Sequence, residues 1–231
     1  MKLLKSLALA ATIAFAMPVY AQFTNGSGGG ASSAAEVSPY DRISVSYNNT
    51  NLSANKQAGD DDFSLNGVGL EYTHGFALSS ANPVYLELGV KGRYSLGNYD
   101  VEKSDLTKKY QFFTAIVPLN VTYAFPVGEK VSIAPYAGIN FKLHILGKYK
   151  DEYGNDDDSD NKSLNLFDKK DMGGKDYTWN RFQMGWQVGV GARYDKFYLG
   201  LSYGTDFIKS YKHKKASISS GDFVLSLGYC F

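Results

Sequence analysis

This chain is short of the residues that most functional sites are built from. Its single cysteine, Cys230, cannot form an internal disulfide or a cysteine-built metal centre. It has 6 prolines and 3 histidines in 231 residues, and no zinc-ligand spacing among them. Lys and Arg total 24 against 23 Asp and Glu, a net charge of +1, so there is no basic surface for nucleic acid. After the first residues no apolar run reaches the ~20 residues a membrane-spanning helix needs. Insertion into a bilayer would have to use strands. No cofactor motif is present, and none is expected.

What the chain has instead is Gly 24, Tyr 18 and Phe 14. It opens like a secretory leader over residues 1–21. Lys2 and Lys5 supply the charge, Leu7 to Met17 the apolar middle, and Val19-Tyr20-Ala21 the small-residue cleavage site. No cysteine follows that site, which excludes a lipoprotein. Residues 22–40 have the Gly-, Ser- and Ala-rich composition of a flexible segment. One domain is expected over residues 41–231.

Within that domain the hydrophobic period is two, interrupted by turn chemistry. The last stretch, GDFVLSLGYCF, places Phe223, Leu225, Leu227, Tyr229 and Phe231 on one face, with Val224, Ser226, Gly228 and Cys230 between them. Seven earlier strands follow the same rule. They run over about Asp41–Asn49, Phe63–Phe76, to Leu96 after a turn at Ser79–Pro83, Tyr110–Phe125, to Gly147, Tyr177–Tyr194, and from Phe197. The sixth is the clearest: Phe182, Met184, Trp186, Val188, Val190, Ala192 and Tyr194 alternate with Arg181, Gln183, Gly185, Gln187, Gly189, Gly191 and Arg193. Pro118 and Pro135 each remove a ladder donor and are expected to mark bulges.

Alternation alone suits a soluble sandwich equally well. Three features favour an inverted barrel in lipid. The polar face combines glycine with Arg, Lys and Glu, as a narrow filled interior requires. Connections after strands two, four and six are short, and the others are long. Aromatics gather at strand ends, with Tyr72, Phe76, Tyr123, Phe125, Tyr194, Phe197, Tyr229 and Phe231 at one end and Tyr47, Tyr94, Phe113, Phe141 and Phe182 at the other. The expected fold is an all-β, eight-stranded antiparallel up-and-down transmembrane barrel. Ten strands are possible if the long loop hides a hairpin.

With its terminal Phe231 and with Tyr229 third from the end, the last strand resembles the assembly signal of outer-membrane β-barrels. The resemblance extends from about Asp41 onward to the small porin-like or OmpA-like barrels of Gram-negative bacteria, most closely over Val117 to Leu143. It implies the bacterial outer membrane, both termini in the periplasm, and contact with outer-membrane lipids, lipopolysaccharide and the barrel-insertion machinery.

The charges expected to face the lumen are Arg42, Glu71, Glu87, Lys91, Arg93, Lys142, Arg181, Arg193 and Asp206. They read either as an ion-pair plug or as a gated polar path, and an interior of eight strands favours the plug. Glu87 and Arg193 share a depth and are candidates to pair directly or through Arg42. His74 faces lipid, His144 the lumen and His213 a loop, so no catalytic triad is expected. The acidic run Asp151 to Asp160 lacks calcium-loop spacing and reads as solvated charge. The basic loop Ser210 to Lys215 suits lipopolysaccharide phosphates.

These readings point to a non-enzymatic barrel with a structural or surface-interaction role, using external loops for any surface ligand. Porin-like transport of small solutes or apolar molecules is the alternative, and a surface lipid-modifying enzyme or protease comes third. If Tyr229 and Phe231 direct assembly, deleting Phe231 lowers the heat-modifiable folded form recovered in outer membranes. Undiminished insertion on gel-shift assay contradicts that reading.

Overall fold

The computed structural model describes residues 37–56, 62–100, 106–153, 163–174 and 178–231. The leader at 1–21, most of the segment at 22–40, residues 154–160 of the acidic run, and Tyr177 lie outside the described residues.

The strands are β1 (Tyr40–Ala54), β2 (Asp62–Ala77), β3 (Val84–Asp100), β4 (Leu106–Tyr123), β5 (Phe125–Pro126), β6 (Val131–Tyr153), β7 (Ser163–Asn165), β8 (Phe182–Tyr194), β9 (Phe197–Asp206), β10 (Tyr211–His213) and β11 (Ala216–Cys230). Eight of them close an antiparallel barrel in the order β1-β2-β3-β4-β6-β8-β9-β11, and β11 pairs back onto β1 from Arg42↔Cys230 to Ala54↔Ile218. The three short strands are not staves. β5 and β7 pair with β6, and β10 pairs with β11. The long loop therefore adds no further pair of staves among the described residues.

Side-chain parity sets what each face meets. Outward Val68 and Leu70 are 66% and 61% exposed, whereas inward Asn48 and Gln183 are 0% exposed. This is the reverse of a soluble sheet, and it makes an apolar belt. One rim of the belt carries the short turns. There Asp195, at φ 53°, turns β8 into β9, and Ser79 Oγ accepts from the Ala81 and Asn82 amides at 3.1 Å.

Several expectations need correction. Neither proline shifts the ladder: Pro118 pairs in register with Asn140 and Pro135 with Val190. The register shift in the β4–β6 ladder falls at Phe113/Thr114, since Phe113 pairs with Leu146 and Thr114 with His144, leaving Ile145 as the extra residue. The β3–β4 pairing lapses at Gly89 and Val90, opposite Pro118 and Val117, and resumes in the same register; the proline ring faces Gly89, where a Cβ would lie 2.9 Å from its Cγ. β8 starts at Phe182 rather than near Tyr177, and β11 starts at Ala216 rather than Gly221. His213 ends a short strand and is not in a loop; the basic stretch is a hairpin turning at Lys214, φ 50°.

The strands also run past the belt at the far rim, and there the polarity inverts. Outward positions become polar, as at Asn49, Asn51 and Ser64, while inward Leu52, Leu65 and Phe112 are buried with Leu166. Phe63, Tyr110, Tyr149, Phe167, Met172, Trp179 and Ile218 pack around them. This upper tier, the crown, therefore has an apolar core of its own. The segment after β7 supplies Leu166, Phe167, Met172 and Trp179 and lies across the mouth. It is tied there by Leu166 N to Gly147 O at 3.0 Å and Asn180 N to Ser210 O at 2.9 Å.

Leu166 is 2% exposed. Its replacement by alanine should cost about 2–5 kcal/mol of packing. Because that energy holds the capping segment rather than the belt, Leu166→Ala should accelerate tryptic cleavage at Lys169 and Lys170 in refolded protein while the heat-modifiable barrel survives. Equal cleavage rates would show that the segment is not held by this contact.

Candidate functional site

The lumen is filled in three tiers. At the short-turn rim, Arg42 Nη1 lies 3.2 Å from Glu87 Oε1, and Arg42 Nη2 donates to Thr73 Oγ1 at 3.3 Å. The Tyr40 hydroxyl also bonds Glu87, and the Arg42 guanidinium sits 4.0 Å from the centre of the Tyr198 ring. Glycine makes room for these rings. A Cβ on Gly191 would lie 2.5 Å from Tyr198, and one on Gly75 would lie 2.5 Å from Tyr40.

The middle tier is an ion cluster. Lys142 Nζ bridges Asp206 Oδ1 and Asp222 Oδ2, both at 2.6 Å, and Arg93 Nη1 reaches Asp222 Oδ1 at 2.8 Å. Thr50 Oγ1 donates to Asp222 at 2.5 Å, and Ser220 donates to Asp206. Lys91 Nζ donates to Asn48 Oδ1 at 2.7 Å, and Gln187 Nε2 to Asn120 Oδ1 at 2.6 Å. Above this tier His144 Nδ1 is 2.8 Å from Thr114 Oγ1, under Phe112 and the stacked ring of Phe167.

The residues named from sequence divide accordingly. Arg42 and Glu87 form the floor pair, while Lys142, Asp206 and Arg93 meet in the middle. Glu71 lines the central cavity with Lys91 and accepts from Thr73 Oγ1 at 2.9 Å. Arg193 stands apart from Glu87: its Nε donates to Asp195 O at 2.6 Å, and its guanidinium is 5.9 Å from the Tyr40 ring centre. Arg42 takes the place beside Glu87 that Arg193 was expected to share. Arg181 is not in the lumen. It is exposed where β8 begins, bonds Ile145 O at 3.2 Å beside the bulge, and covers the Phe167 ring at 4.6 Å. Asp222 is the central acid that sequence reasoning missed, although it shares the inward parity of Val224 and Ser226.

Three cavities of about 50, 40 and 20 Å³ remain between the tiers. Each holds at most a few waters. Arg42, Tyr136 and Tyr198 wall the first from the second, and Arg93 stands between the first and third. Among the described residues no group of three His, Cys, Asp or Glu is placed to hold a metal ion.

Sequence comparison agrees with this architecture, since the family model for the outer membrane protein beta-barrel domain matches residues 7–231. The chain belongs to that family. As an outer-membrane β-barrel it meets lipid through the belt, and its place is the bacterial outer membrane. Similar solved structures include Ail, the attachment invasion locus protein of Yersinia pestis, in complex with the heparin analogue sucrose octasulfate. That likeness has 16% identity, covers 84% of this chain and 99% of Ail, and has a TM-score of 0.40. Neisserial surface protein A matches at 14% identity over 83% of this chain and 96% of its own, TM-score 0.35. The outer membrane enzyme PagL matches at 11% identity over 78% and 97%, TM-score 0.39. No curated protein sequence matches the chain.

Asp222 joins Arg93 and Lys142 in a buried site, so removing it leaves Arg93 without its carboxylate and Lys142 with Asp206 alone. Asp222→Ala should therefore cost about 3–5 kcal/mol in urea unfolding of the barrel from vesicles. The double variant Asp222→Ala/Lys142→Ala should lose less than the sum of the singles, and Glu71→Ala should lose less than Asp222→Ala. Additive losses would mean that the cluster does not act as a unit.

Proposed function

We propose that this barrel is non-enzymatic, keeps its lumen shut, and works through the crown as a surface-interaction and structural element of the outer membrane. The observation that carries the reading is the three-tier filling: a floor pair, a central ion cluster and an apolar cap, with water-sized cavities between. A conducting pore of eight strands would need a continuous lined path, and side chains fill the interior here. His144 is enclosed under Phe112 and Phe167, away from lipid and from the crown's outer face, and this arrangement offers no accessible nucleophile–base pair.

In this reading both termini face the periplasm, because the short turns lie at the same rim as the start of β1 and the end of β11. The crown then stands outside the cell. Among the described residues its walls are paired strand, and β7 and β10 extend the ladders on β6 and β11. Lys109 and Lys150 bond Glu152, and those hydrogen bonds, Lys109's first, hold its carboxyl below the usual range. The Lys212–Lys215 hairpin tip presents positive charge suited to lipopolysaccharide phosphates or another anionic surface partner.

Two measurements test this reading. The refolded full chain in planar bilayers should show only small, infrequent openings, and large stable conductance would make it a transport barrel. An epitope inserted between Lys214 and Lys215 should bind antibody on intact cells, and one at Gly128 should not; the reverse pattern would invert the topology.

A further inference from the structure

The belt is not uniform. On its outer face a groove of about 810 Å³ is lined almost wholly by apolar atoms from β1, β2, β3, β4 and β11. Register explains its shape. Tyr47, Val68, Tyr94 and Phe113 form one cross-strand row, and Val45, Leu70, Gly92 and Ala115 form the row beneath. The two tyrosines thus stand either side of Val68, while Gly92 and Ala115 leave the lower row short. Nothing but the Phe113 ring, at 3.8 Å, would meet a Cβ on Gly92. Glycine is not needed there for packing, and its effect is to deepen the groove.

Directly above, Asn49 and Asn66 form the centre of the next outward row, between Phe223 on β11 and Leu96 on β3, and Asn51 and Ser64 stand in the row after it. Asn66 Oδ1 accepts from Tyr47 Oη at 2.6 Å and from Asn49 Nδ2 at 2.9 Å. The amide of exposed Asn66 is thereby oriented by its oxygen, which leaves its Nδ2 donors for a ligand, and Asn49 Oδ1 is an acceptor on the neighbouring strand. These two rows carry no cation on β1 or β2, and Lys109 on β4 is taken up by Glu152 at 2.5 Å. Oriented amides with both donors and acceptors suit vicinal hydroxyls rather than a phosphate.

We propose that the groove and the carboxamides above it form one lipid site, with an acyl chain lying between Tyr47 and Tyr94 over Gly92 and a saccharide headgroup bonded to Asn49 and Asn66. The groove ends at the far rim's tyrosine girdle, the depth at which a lipid changes from chain to headgroup. Its occupant is thus an acylated saccharide of the surrounding membrane. That the leaflet is the outer one rests on the orientation proposed above, but the site itself does not.

The test uses the full chain in nanodiscs of phosphatidylcholine containing a synthetic diacyl lipid with a neutral disaccharide headgroup and phosphatidylglycerol with the same chains. Both faces of a nanodisc carry the same lipids, so the outcome is independent of orientation. Native mass spectrometry after release into detergent should find the disaccharide lipid retained in preference to both phospholipids. Gly92→Leu should lower that retention about tenfold, equivalent to about two fewer buried methylenes. Ala192→Leu, also outward but across the barrel, should leave it unchanged. Asn49→Ala/Asn66→Ala should keep chain retention and lose the preference for saccharide. Equal losses in Gly92→Leu and Ala192→Leu would reduce the groove to ordinary belt surface. Retention of phosphatidylglycerol as strong as that of the disaccharide lipid would overturn the headgroup assignment.

Discussion

Closure of the sheet on itself is the constraint from which the rest follows. Hydrocarbon offers no hydrogen bonds, so every belt N–H and C=O must find a partner within the sheet. The β1–β11 ladder, from Arg42↔Cys230 upward, removes the two edges that an open sheet would expose. Closing with eight strands leaves a narrow interior, and the inward residues fill it. Glycines lie under the rings of Tyr40 and Tyr198, and long cations reach across to carboxylates on other strands. Each buried charge loses its hydration, which only pairing or hydrogen bonding offsets. The partners Lys142, Asp206 and Asp222 come from β6, β9 and β11, so the cluster forms only once the barrel has closed.

The same strands solve two opposite solvent problems along their length. In β2, Tyr72, Leu70 and Val68 face outward to lipid while Thr73, Glu71 and Gly69 face in; four residues further on, Ser64 faces outward and Leu65 and Phe63 face in. The backbone alternation never breaks in β2; only the chemistry assigned to each parity changes. That exchange marks the membrane surface more sharply than the aromatic girdle does. It also explains why the crown needs the segment after β7. β8 and β9 stop near the belt, so the apolar inner face of β1–β4, β6 and β11 would otherwise open on one side. Leu166 and Trp179 fill that side.

How much of this was readable from the chain depends on where periodicity carries information. The belt strands were legible because period two is the whole signal there, and Val68-Gly69-Leu70 or Trp186-Gln187-Val188 admits no other parity. Arg181 was misplaced by the same signal, since its parity continues that of Gln183 although the strand begins one residue after it. Asp222 was available by parity but sits next to Gly221 at what reads as the end of a strand. Phe63, Leu65 and Phe112 carry inward parity in plain view, yet an expected polar lumen gives no reason to see a second core. The stretch LNLFDKKDMGG has no period at all, and its docking depends on a cavity that only the closed barrel creates. The bulge at Ile145 is hidden within an apolar run, while the two prolines, more conspicuous, leave the register unchanged.

Interior and exterior are therefore specified by different rules. Inside, the charges are tied to one another: Asp222 alone engages Arg93, Lys142 and Thr50, so altering one residue propagates through three strands. Outside, the belt needs only to be apolar, and most of its positions tolerate any large aliphatic side chain. A glycine such as Gly92 on that face, with only the Phe113 ring near where its side chain would be, gains nothing from ladder packing and gives up apolar surface that a leucine would offer to lipid. The two tyrosines beside it and the hydrogen-bonded asparagines above give that gap defined walls and a polar top. With the lumen shut, as proposed, selectivity falls to the lipid-facing wall and the crown, and this is the place where those two surfaces meet.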